Sequence, residues 1–313
     1  IGPILVLTVW NYIWRFAKWQ MYLHLLGVAI PARTSARIFL GGFAMSLTPG
    51  KVGELIKSVY VRRLTGAPIN RTSAVVAAER ITDALAMTVL AAVGATRYSY
   101  GRPFLIVVAV LGLLGILSLQ RPEFLYRQIA RVGQAPVLGR AAIHGRAFIE
   151  ASETLFRPGV LARAVGFGII SWSGECLAFF LVLIGLGIEA SIGLLLIATF
   201  VLAVSSLVGG ASMLPGGLGV ADAGIAGLLV LLVDDDTMTR SVAAAATIVI
   251  RFSTLWFAVI LGVAALAQLE RRWGRAETAA EPVQSTTQTT HDTNAADETP
   301  PGGLEAVRDG GNL

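Results

Sequence analysis

Pro49-Gly50-Lys51-Val52-Gly53-Glu54 interrupts an apolar run, and Pro215-Gly216-Gly217-Leu218-Gly219 repeats its P-G-x-x-G spacing farther along the chain. Proline removes a backbone N–H and clashes with the preceding turn, while glycine tolerates conformations that other residues resist. Each copy therefore predicts a break in a membrane helix. Because unpaired backbone groups inside a bilayer persist only within protein or beside a wet cavity, the two breaks predict a shared internal site.

The composition is typical of a polytopic membrane protein. Of the 313 residues, 55% are hydrophobic and 14% are charged, and the mean hydropathy is +0.69. Apolar runs long enough to cross about 30 Å of hydrocarbon recur along the chain, which favours helices over the short alternating strands of a barrel. The sequence predicts an all-α integral membrane protein, a polytopic helical bundle with two inverted, re-entrant or broken helical hairpins.

The apolar runs predict two interrupted hairpins among uninterrupted spans. Hairpin one covers 37–63 and hairpin two covers 192–233, and the other spans are 1–26, 71–96, 103–119, 164–187 and 241–268. Because the first run keeps Arg15 and Lys18 and has no cleavage site, we interpret it as a membrane helix and not as a signal peptide. Whether another helix precedes Ile1 stays open. A transmembrane domain is predicted over 1–273, and a disordered tail rich in Thr, Ala, Pro and Gly over 274–313.

Arginines beside the apolar spans predict the orientation of the chain. Seven arginines lie in 121–163, which we interpret as amphipathic and interfacial, and three more follow the last span. The positive-inside rule places this segment and the C-terminal tail in the cytoplasm of a cell-membrane protein. Hairpin one then begins and ends inside while hairpin two begins and ends outside, so the copies are predicted to be inverted. The net charge of +5 therefore reports orientation and does not indicate nucleic-acid binding.

Charged residues near the breaks are candidates for binding a lipid headgroup. A broken helix is expected to expose N–H groups and the positive end of its dipole, which attract phosphate or carboxylate. Arg80 and Arg251 each lie about ten residues into the span after a break, and a guanidinium can donate two bonds to one phosphate. We expect Arg80 to pair with Asp83 three residues away, and Arg251 to meet an anionic ligand or a distant partner such as Glu175.

The candidate headgroup-binding residues lie in the two motifs or on the charged spans: Pro49, Gly50, Lys51, Gly53, Glu54, Lys57, Glu79, Arg80, Asp83, Glu175, Pro215, Gly216, Gly217, Gly219, Asp222 and Arg251. The structural alternatives are packing kinks at the breaks and snorkelling side chains or local ion pairs at the charges. A charged group near the bilayer centre costs several kcal/mol, which favours a role in a pathway or in substrate binding.

The sequence contains few candidates for catalysis or metal binding. Its one cysteine, Cys176, excludes an intramolecular disulfide and a cysteine-built zinc site. His24, His144 and His291 lack ligand spacing, and neither a nucleotide-binding glycine loop nor a Ser-His-Asp order stands out. We therefore expect no catalytic residue, no metal and no cofactor, and a protein that is not an enzyme.

Three segments resemble the membrane domain family named after the lysylphosphatidylglycerol synthase/flippase. They are S-L-T-P-G-K-V-G-E-L-I-K (46–57), A-A-E-R-I-T-D (77–83) and L-P-G-G-L-G-V-A-D (214–222), and the resemblance covers roughly 5–270. It implies a membrane domain that moves or holds an anionic or aminoacylated lipid, with re-entrant hairpins around a lipid cavity. Asp222 stands where members commonly carry glutamate. The 313 residues include no large soluble aminoacyl-transferase domain, so we expect this chain not to synthesise the lipid.

Three functions stay open at this point. The first is a translocator for a phospholipid or a polyprenyl phosphate, whose phosphate is held by the arginines and the N–H groups of the breaks. The second is a non-catalytic membrane subunit or lipid-binding module of an envelope glycan or lipid biosynthesis enzyme, docked through the arginines of 121–163. The third is a small-anion secondary transporter, which requires a cavity closed to lipid on all sides.

Overall fold

A computed structural model describes residues 1–97, 106, 110, 148 and 150–280, without the side chains of 51 and 272–280. Residues Ile1–Arg271 form one compact unit, and Arg272–Leu313 form a second, which is described as far as Ala280. The secondary structure of the described residues is helical. The predicted class, an all-α integral membrane protein, is confirmed.

The described helices fall into two series, one on each side of the segment 98–149. The first series contains α1 (Gly2–Leu25), α2 (Ala32–Phe43), α3 (Ile56–Thr65) and α4 (Ile69–Ala95). The second contains α5 (Pro158–Gly185), α6 (Ile192–Ala211), α7 (Val220–Leu232), α8 (Arg240–Arg251) and α9 (Phe257–Ala280). Short 3₁₀ segments, Pro49–Leu55 and Pro215–Gly217, precede α3 and α7, and a π-helical turn, Phe252–Trp256, joins α8 to α9.

Four helical stretches in the described part of the chain are long and apolar enough to cross a membrane. They are Pro158–Gly185, Ile192–Ala211, Pro215–Leu232 and Arg240–Arg271. The predicted spans 1–26 and 71–96 correspond to α1 and α4, which contain 24 and 27 residues. At about 1.5 Å per residue, both exceed a hydrocarbon thickness of about 30 Å.

Both P-G-x-x-G motifs interrupt helices, as predicted, and each lies at the tip of a hairpin. α2 and α3 contain 12 and 10 residues, which corresponds to about 18 and 15 Å, too short for either to cross a bilayer alone. They pack against each other, and α6 packs against α7 in the same way. Gly50 and Gly216 adopt φ angles of 60° and 61°, a left-handed conformation in which glycine carries no Cβ penalty. The opposite orientation of the two hairpins stays a prediction.

The two hairpin tips are in contact with each other. The Gly50 N–H donates a hydrogen bond to the Met213 carbonyl oxygen at 2.9 Å. A Cβ added to Gly216 would lie 2.9 Å from Leu47 Cδ2 and 3.3 Å from Leu255 Cδ2. The two broken helices therefore meet within the bundle.

The long helices hold the hairpins by close packing. α1 packs along α5, while α4 packs against both α5 and α6. Glycines allow this approach, since a Cβ at Gly174 of α5 would lie 2.8 Å from Trp10 and one at Gly94 of α4 would lie 2.7 Å from the backbone of α6. The charged side of α1 faces inward, where Arg15 and Lys18 are buried.

Three boundaries differ from the prediction. The first hairpin begins with α2 at Ala32, earlier than the predicted 37, and turns at 44–47 separate α2 from the break. α5 begins at Pro158, inside the predicted segment 121–163, since proline suits the first turn of a helix. α9 continues to Ala280, past the predicted end of the last span at 268, through alanines and a glutamate that favour helix. Most of 103–119 and of 121–163, and the tail beyond 280, lie outside the described residues.

Candidate functional site

A cavity of about 510 Å³ lies where the hairpin tips meet α1, α4, α5 and α8. Eight of the predicted site residues line it: Gly50, Glu54, Arg80, Asp83, Glu175, Gly216, Gly217 and Arg251. The remaining predicted residues whose side chains are described lie outside its wall: Pro49, Gly53, Lys57, Glu79, Pro215, Gly219 and Asp222. Of Lys51 only the backbone is described, within the 3₁₀ segment.

Arg80 is a cation of the cavity wall that retains unused hydrogen-bond donors. Its Nη2 lies 3.3 Å from Glu54 Oε2 and 3.5 Å from Asp83 Oδ2, so the expected pairing with Asp83 is present. Neither its Nε nor its Nη2 makes a hydrogen bond to another described residue. The side chain is 26% exposed, compared with 2% for Lys57 behind it. Arg80 is therefore held by charge, and part of its side chain is exposed in the cavity wall.

Lys57 and Glu79 form a buried ion pair behind the cavity wall. Lys57 Nζ lies 2.5 Å from Glu79 Oε2 and 4.0 Å from Glu54 Oε2. The same ammonium lies over the rings of Trp19 and Phe39, 4.7 and 5.5 Å from their centroids. Both charged side chains are almost fully buried. This arrangement matches the local ion pair that the sequence left open as the structural alternative.

Two cations that the site prediction omitted hold Asp83 from the other side. Lys18 Nζ lies 2.5 Å from Asp83 Oδ1, and Arg15 Nη2 lies 3.8 Å from Asp83 Oδ2. Arg15 lines the cavity, whereas Lys18 lies behind it at 1% exposure. Both occur in the middle of an apolar span, the same signal that selected Arg80, and could have been found by it.

Arg251 reaches the cavity from the helix that follows the second break. Its Nε lies 2.5 Å from Asp222 Oδ1, and its Nη2 donates to the Gly216 carbonyl oxygen at 3.1 Å. The distant carboxylate that Arg251 meets is thus Asp222, because α7 folds back and brings it beside α8. The guanidinium thus connects the tip of the second hairpin to α8, and the Arg251 side chain is 18% exposed.

The N–H groups of the breaks are less available than expected. Gly53 N donates to the Thr48 hydroxyl at 2.8 Å, and Gly219 N donates to Asp222 Oδ2 at 2.8 Å. Gly50 N is bound by Met213, as described above, and Gly217 N donates to the Leu214 carbonyl oxygen at 2.9 Å. The expectation that these amides are exposed to a phosphate is wrong in this conformation, since short loops satisfy their own donors.

The charges in and behind the cavity wall balance, although its arginines stand out in the sequence. Among the described residues, five cations match five carboxylates. The cations are Arg15, Lys18, Lys57, Arg80 and Arg251, and the carboxylates are Glu54, Glu79, Asp83, Glu175 and Asp222. The site therefore offers partners for both signs of charge.

Aromatic side chains complete the wall. Tyr12, Phe43 and Trp172 line the cavity, and the Arg15 guanidinium lies 5.1 Å from the Phe43 centroid and 5.9 Å from that of Trp172. The Trp172 indole N–H is buried and makes no hydrogen bond to another described residue. It lies three residues before Glu175, on the same face of α5. Trp172 and Glu175 thus bring an aromatic ring and a carboxylate together on one face of the cavity wall.

The chemistry available here is the binding of charged groups. Guanidinium and indole N–H groups suit anionic oxygens, and carboxylates beside aromatic rings suit an ammonium. Within the described part of the chain, no cluster of three or more His, Cys, Asp or Glu side chains has the arrangement of a metal site.

Comparison with known proteins gives two matches. The family model described as "Lysylphosphatidylglycerol synthase TM region" matches residues 1–262. A "UPF0104 membrane protein" of Methanothermobacter thermautotrophicus is 32% identical over 107 residues, which is 34% of this chain and 30% of that protein. The alignment thus spans about a third of the relative's length. The family match, in contrast, includes both hairpins and every residue of the cavity wall.

Proposed function

We propose that this chain, which belongs to the lysylphosphatidylglycerol synthase transmembrane-region family, is a non-enzymatic lipid translocator. It is a multi-pass membrane protein with a lipid-related function. In the proposal, the headgroup of a phosphate-bearing or aminoacylated lipid enters the cavity between the hairpin tips, and the hydrocarbon chains stay in the bilayer. We place the protein in the cell membrane, with the arginine-rich segment and the tail in the cytoplasm.

One observation supports the proposal above the others: Arg80 and Arg251 line the same cavity. Each lies on the helix that follows one hairpin, and they are 26% and 18% exposed. Lys18 and Lys57 are nearly inaccessible by comparison. Of the cations in the cavity wall, these two arginines are more exposed than Arg15, whose side chain is 10% exposed, and each can donate more than one hydrogen bond to a headgroup phosphate.

The balance of charges favours a headgroup that carries both signs. A phosphate that binds Arg80 competes with Glu54 and Asp83 for the same guanidinium. A cationic group on the same lipid can pair with a carboxylate from which the phosphate draws Arg80, whereas a purely anionic headgroup adds negative charge beside Glu54 and Asp83 in a medium of low dielectric constant. Among the candidate lipids, we therefore favour an aminoacylated or otherwise zwitterionic phospholipid over a polyprenyl phosphate.

The contact between the hairpin tips suggests how the site changes access. The tips touch through the Gly50 hydrogen bond to Met213 and through Gly216, which packs on Leu47. Separating the tips would break the Gly50 hydrogen bond and open the packing around Gly216. If the hairpins are inverted, opening on one side or the other gives two related states that face opposite leaflets.

Lipid mass spectrometry on the purified protein tests whether the cavity holds a headgroup. The variants are Arg80→Ala and Arg251→Ala, and the matched control is Arg163→Ala, an exposed arginine near the start of α5. We expect the first two to lose the co-purifying lipid while the control keeps it. Equal retention in all three would contradict binding in the cavity.

A vesicle assay separates transport from simple binding. The protein is reconstituted with fluorescent phosphatidylglycerol, lysyl-phosphatidylglycerol or a polyprenyl phosphate, and the fraction of probe in each leaflet is followed by chemical quenching. The proposal predicts protein-dependent transfer of at least one probe, reduced by Arg251→Ala. Retained lipid without transfer would favour the lipid-binding subunit of a biosynthetic enzyme. Uptake of free phosphate without lipid transfer would favour the small-anion transporter.

A further inference from the structure

The helix that carries Arg251 separates the cavity from a second, apolar groove. The groove has a volume of about 440 Å³ and lies between the start of α1 and the stretch 248–260. On its other side the same stretch contributes Ile250, Thr254 and Ala258 to the cavity. A wall one helix thick thus divides the polar site from the groove.

The groove has the chemistry of a site for a hydrocarbon chain. Phe252, Trp256 and Ile260 line it, and Phe252 and Ile260 are 62% and 64% exposed. These residues belong to Arg240–Arg271, a stretch long and apolar enough to cross the membrane. The groove therefore opens where lipid tails lie, and its exposed apolar area is stabilised when a chain covers it.

The π-helical turn determines which residues of this wall face the cavity and which face the groove. It begins directly after Arg251 and covers Phe252–Trp256. Arg251 and Thr254 line the cavity, while Phe252 and Trp256 line the groove. π-Bulges are rare and occur mostly at functional sites. A headgroup held by Arg251 is thus one turn of helix away from the groove.

Tyr12 bridges the seam between α1 and this wall. Its hydroxyl donates a hydrogen bond to the Thr254 carbonyl oxygen at 2.9 Å. Its ring lies 6.2 Å from the Phe257 ring and 5.0 Å from the Phe43 ring, between centroids. Tyr12 also lines the cavity. Tyr12 thus lies between the cavity and Phe257, which lines the groove.

We propose that the groove binds one hydrocarbon chain of the lipid whose headgroup occupies the cavity, and that the chain enters through the seam closed by Tyr12. The inference rests on the proposed function and adds to it the position of the chain and the route of lateral entry. Tyr12 acts as a positioning residue, since it holds the seam without contacting the chain in the groove.

Photo-crosslinking locates the chain. The full chain is reconstituted in phosphatidylglycerol vesicles that contain a minor fraction of lysyl-phosphatidylglycerol with a diazirine in one acyl chain, and the adducts are mapped by mass spectrometry. We expect more adducts at Phe252, Trp256 and Ile260 than at Leu231, an apolar residue of α7 that is 75% exposed. Excess unlabelled lysyl-phosphatidylglycerol should remove this enrichment, and so should Arg251→Ala, which removes the headgroup contact.

The outcomes separate this inference from the function on which it rests. Equal labelling of the groove and Leu231, in a protein that still co-purifies lipid through Arg80, would mean that the groove holds annular lipid only. The chain site would then be wrong while the lipid-binding function stands. Enrichment in the groove that survives Arg251→Ala would overturn the link between the groove and the cavity. A protein that retains no lipid and transfers none would overturn the proposed function itself.

A hydroxyl deletion tests the seam. Tyr12→Phe removes the hydrogen bond to Thr254 and keeps the ring, so we expect lipid exchange into and out of the protein to be about two- to tenfold faster, as the loss of one hydrogen bond implies. The control is Tyr22→Phe, which deletes a buried hydroxyl that contacts Thr82 at 3.4 Å. If both variants exchange lipid at the wild-type rate, the seam is not the entry route.

Discussion

The ion pair between Lys57 and Glu79 is predicted to stabilise the fold and not to bind lipid. We consider Lys57→Met, Glu79→Leu and the double variant, which replaces the pair by apolar side chains of similar length. Lys57 Nζ lies 2.5 Å from Glu79 Oε2, and their side chains are 2% and 1% exposed. Removing one partner of such a pair leaves a buried charge that water cannot reach, which costs about 3–5 kcal/mol.

The groups around Lys57 and Glu79 predict which single variant loses more stability. Lys57→Met leaves Glu79 without its closest cation and also removes the ammonium that lies 4.7 Å from the Trp19 centroid, so we expect the upper end of that range. After Glu79→Leu, Lys57 still has Glu54 at 4.0 Å and the Trp19 ring, so we expect the lower end. The double variant leaves neither charge, and we expect it to lie within about 2 kcal/mol of the wild type.

Equilibrium unfolding in mixed micelles, followed by far-UV circular dichroism, measures the free energies. The reasoning requires a strong coupling, with a double variant more stable than either single variant. Additive destabilisation in the double variant would refute the pairing. A double variant that is folded but has lost the co-purifying lipid, while Arg163→Ala retains it, would refute the structural role and return the pair to the lipid site.

The remaining predictions concern the breaks and Arg251. Gly216→Ala should lower the free energy of unfolding by about 1–2 kcal/mol because of its φ of 61°, and by more because the tip is crowded. Gly227→Ala on α7, where a Cβ meets nothing within 4 Å, should stabilise the protein slightly. Thermal unfolding in detergent compares the two variants. Arg251→Lys keeps the charge but loses the planar fork, so lipid retention measured by mass spectrometry should fall severalfold while the protein stays folded. Thr48→Ala removes the acceptor for Gly53 N and should cost about 1 kcal/mol in the same unfolding assay.

Local chemistry made the breaks predictable from the sequence. Proline and glycine act on the backbone of their own turn, so Pro49-Gly50 and Pro215-Gly216 predict interruptions whatever surrounds them. Arg80 and Arg251 were predictable as cavity residues because each lies at a similar offset after a break. Both features depend only on positions near each other in the chain.

The contacts between distant segments were not predictable in the same way. Asp222 meets Arg251 because α7 and α8 pack together, and no spacing in the sequence distinguishes Asp222 from Glu175 as the partner. Arg15 and Lys18 lie in an apolar span of α1, but their partner, Asp83, lies on α4 and can be identified only when the helices are placed. The occupied N–H groups of the breaks depend likewise on loop geometry, such as the turn that brings Thr48 to Gly53.

The balanced charges bear directly on how such a cavity can exist in a bilayer and still release its ligand. A chamber with an uncompensated cation would bind an anionic headgroup tightly and would be costly when empty. Here the empty state is compensated, because Glu54 and Asp83 hold Arg80 while Asp222 holds Arg251. Binding then exchanges one set of partners for another, so the free-energy difference between the loaded and empty states stays small. A small difference suits a carrier, which must load and unload the same lipid, better than a protein that stores it.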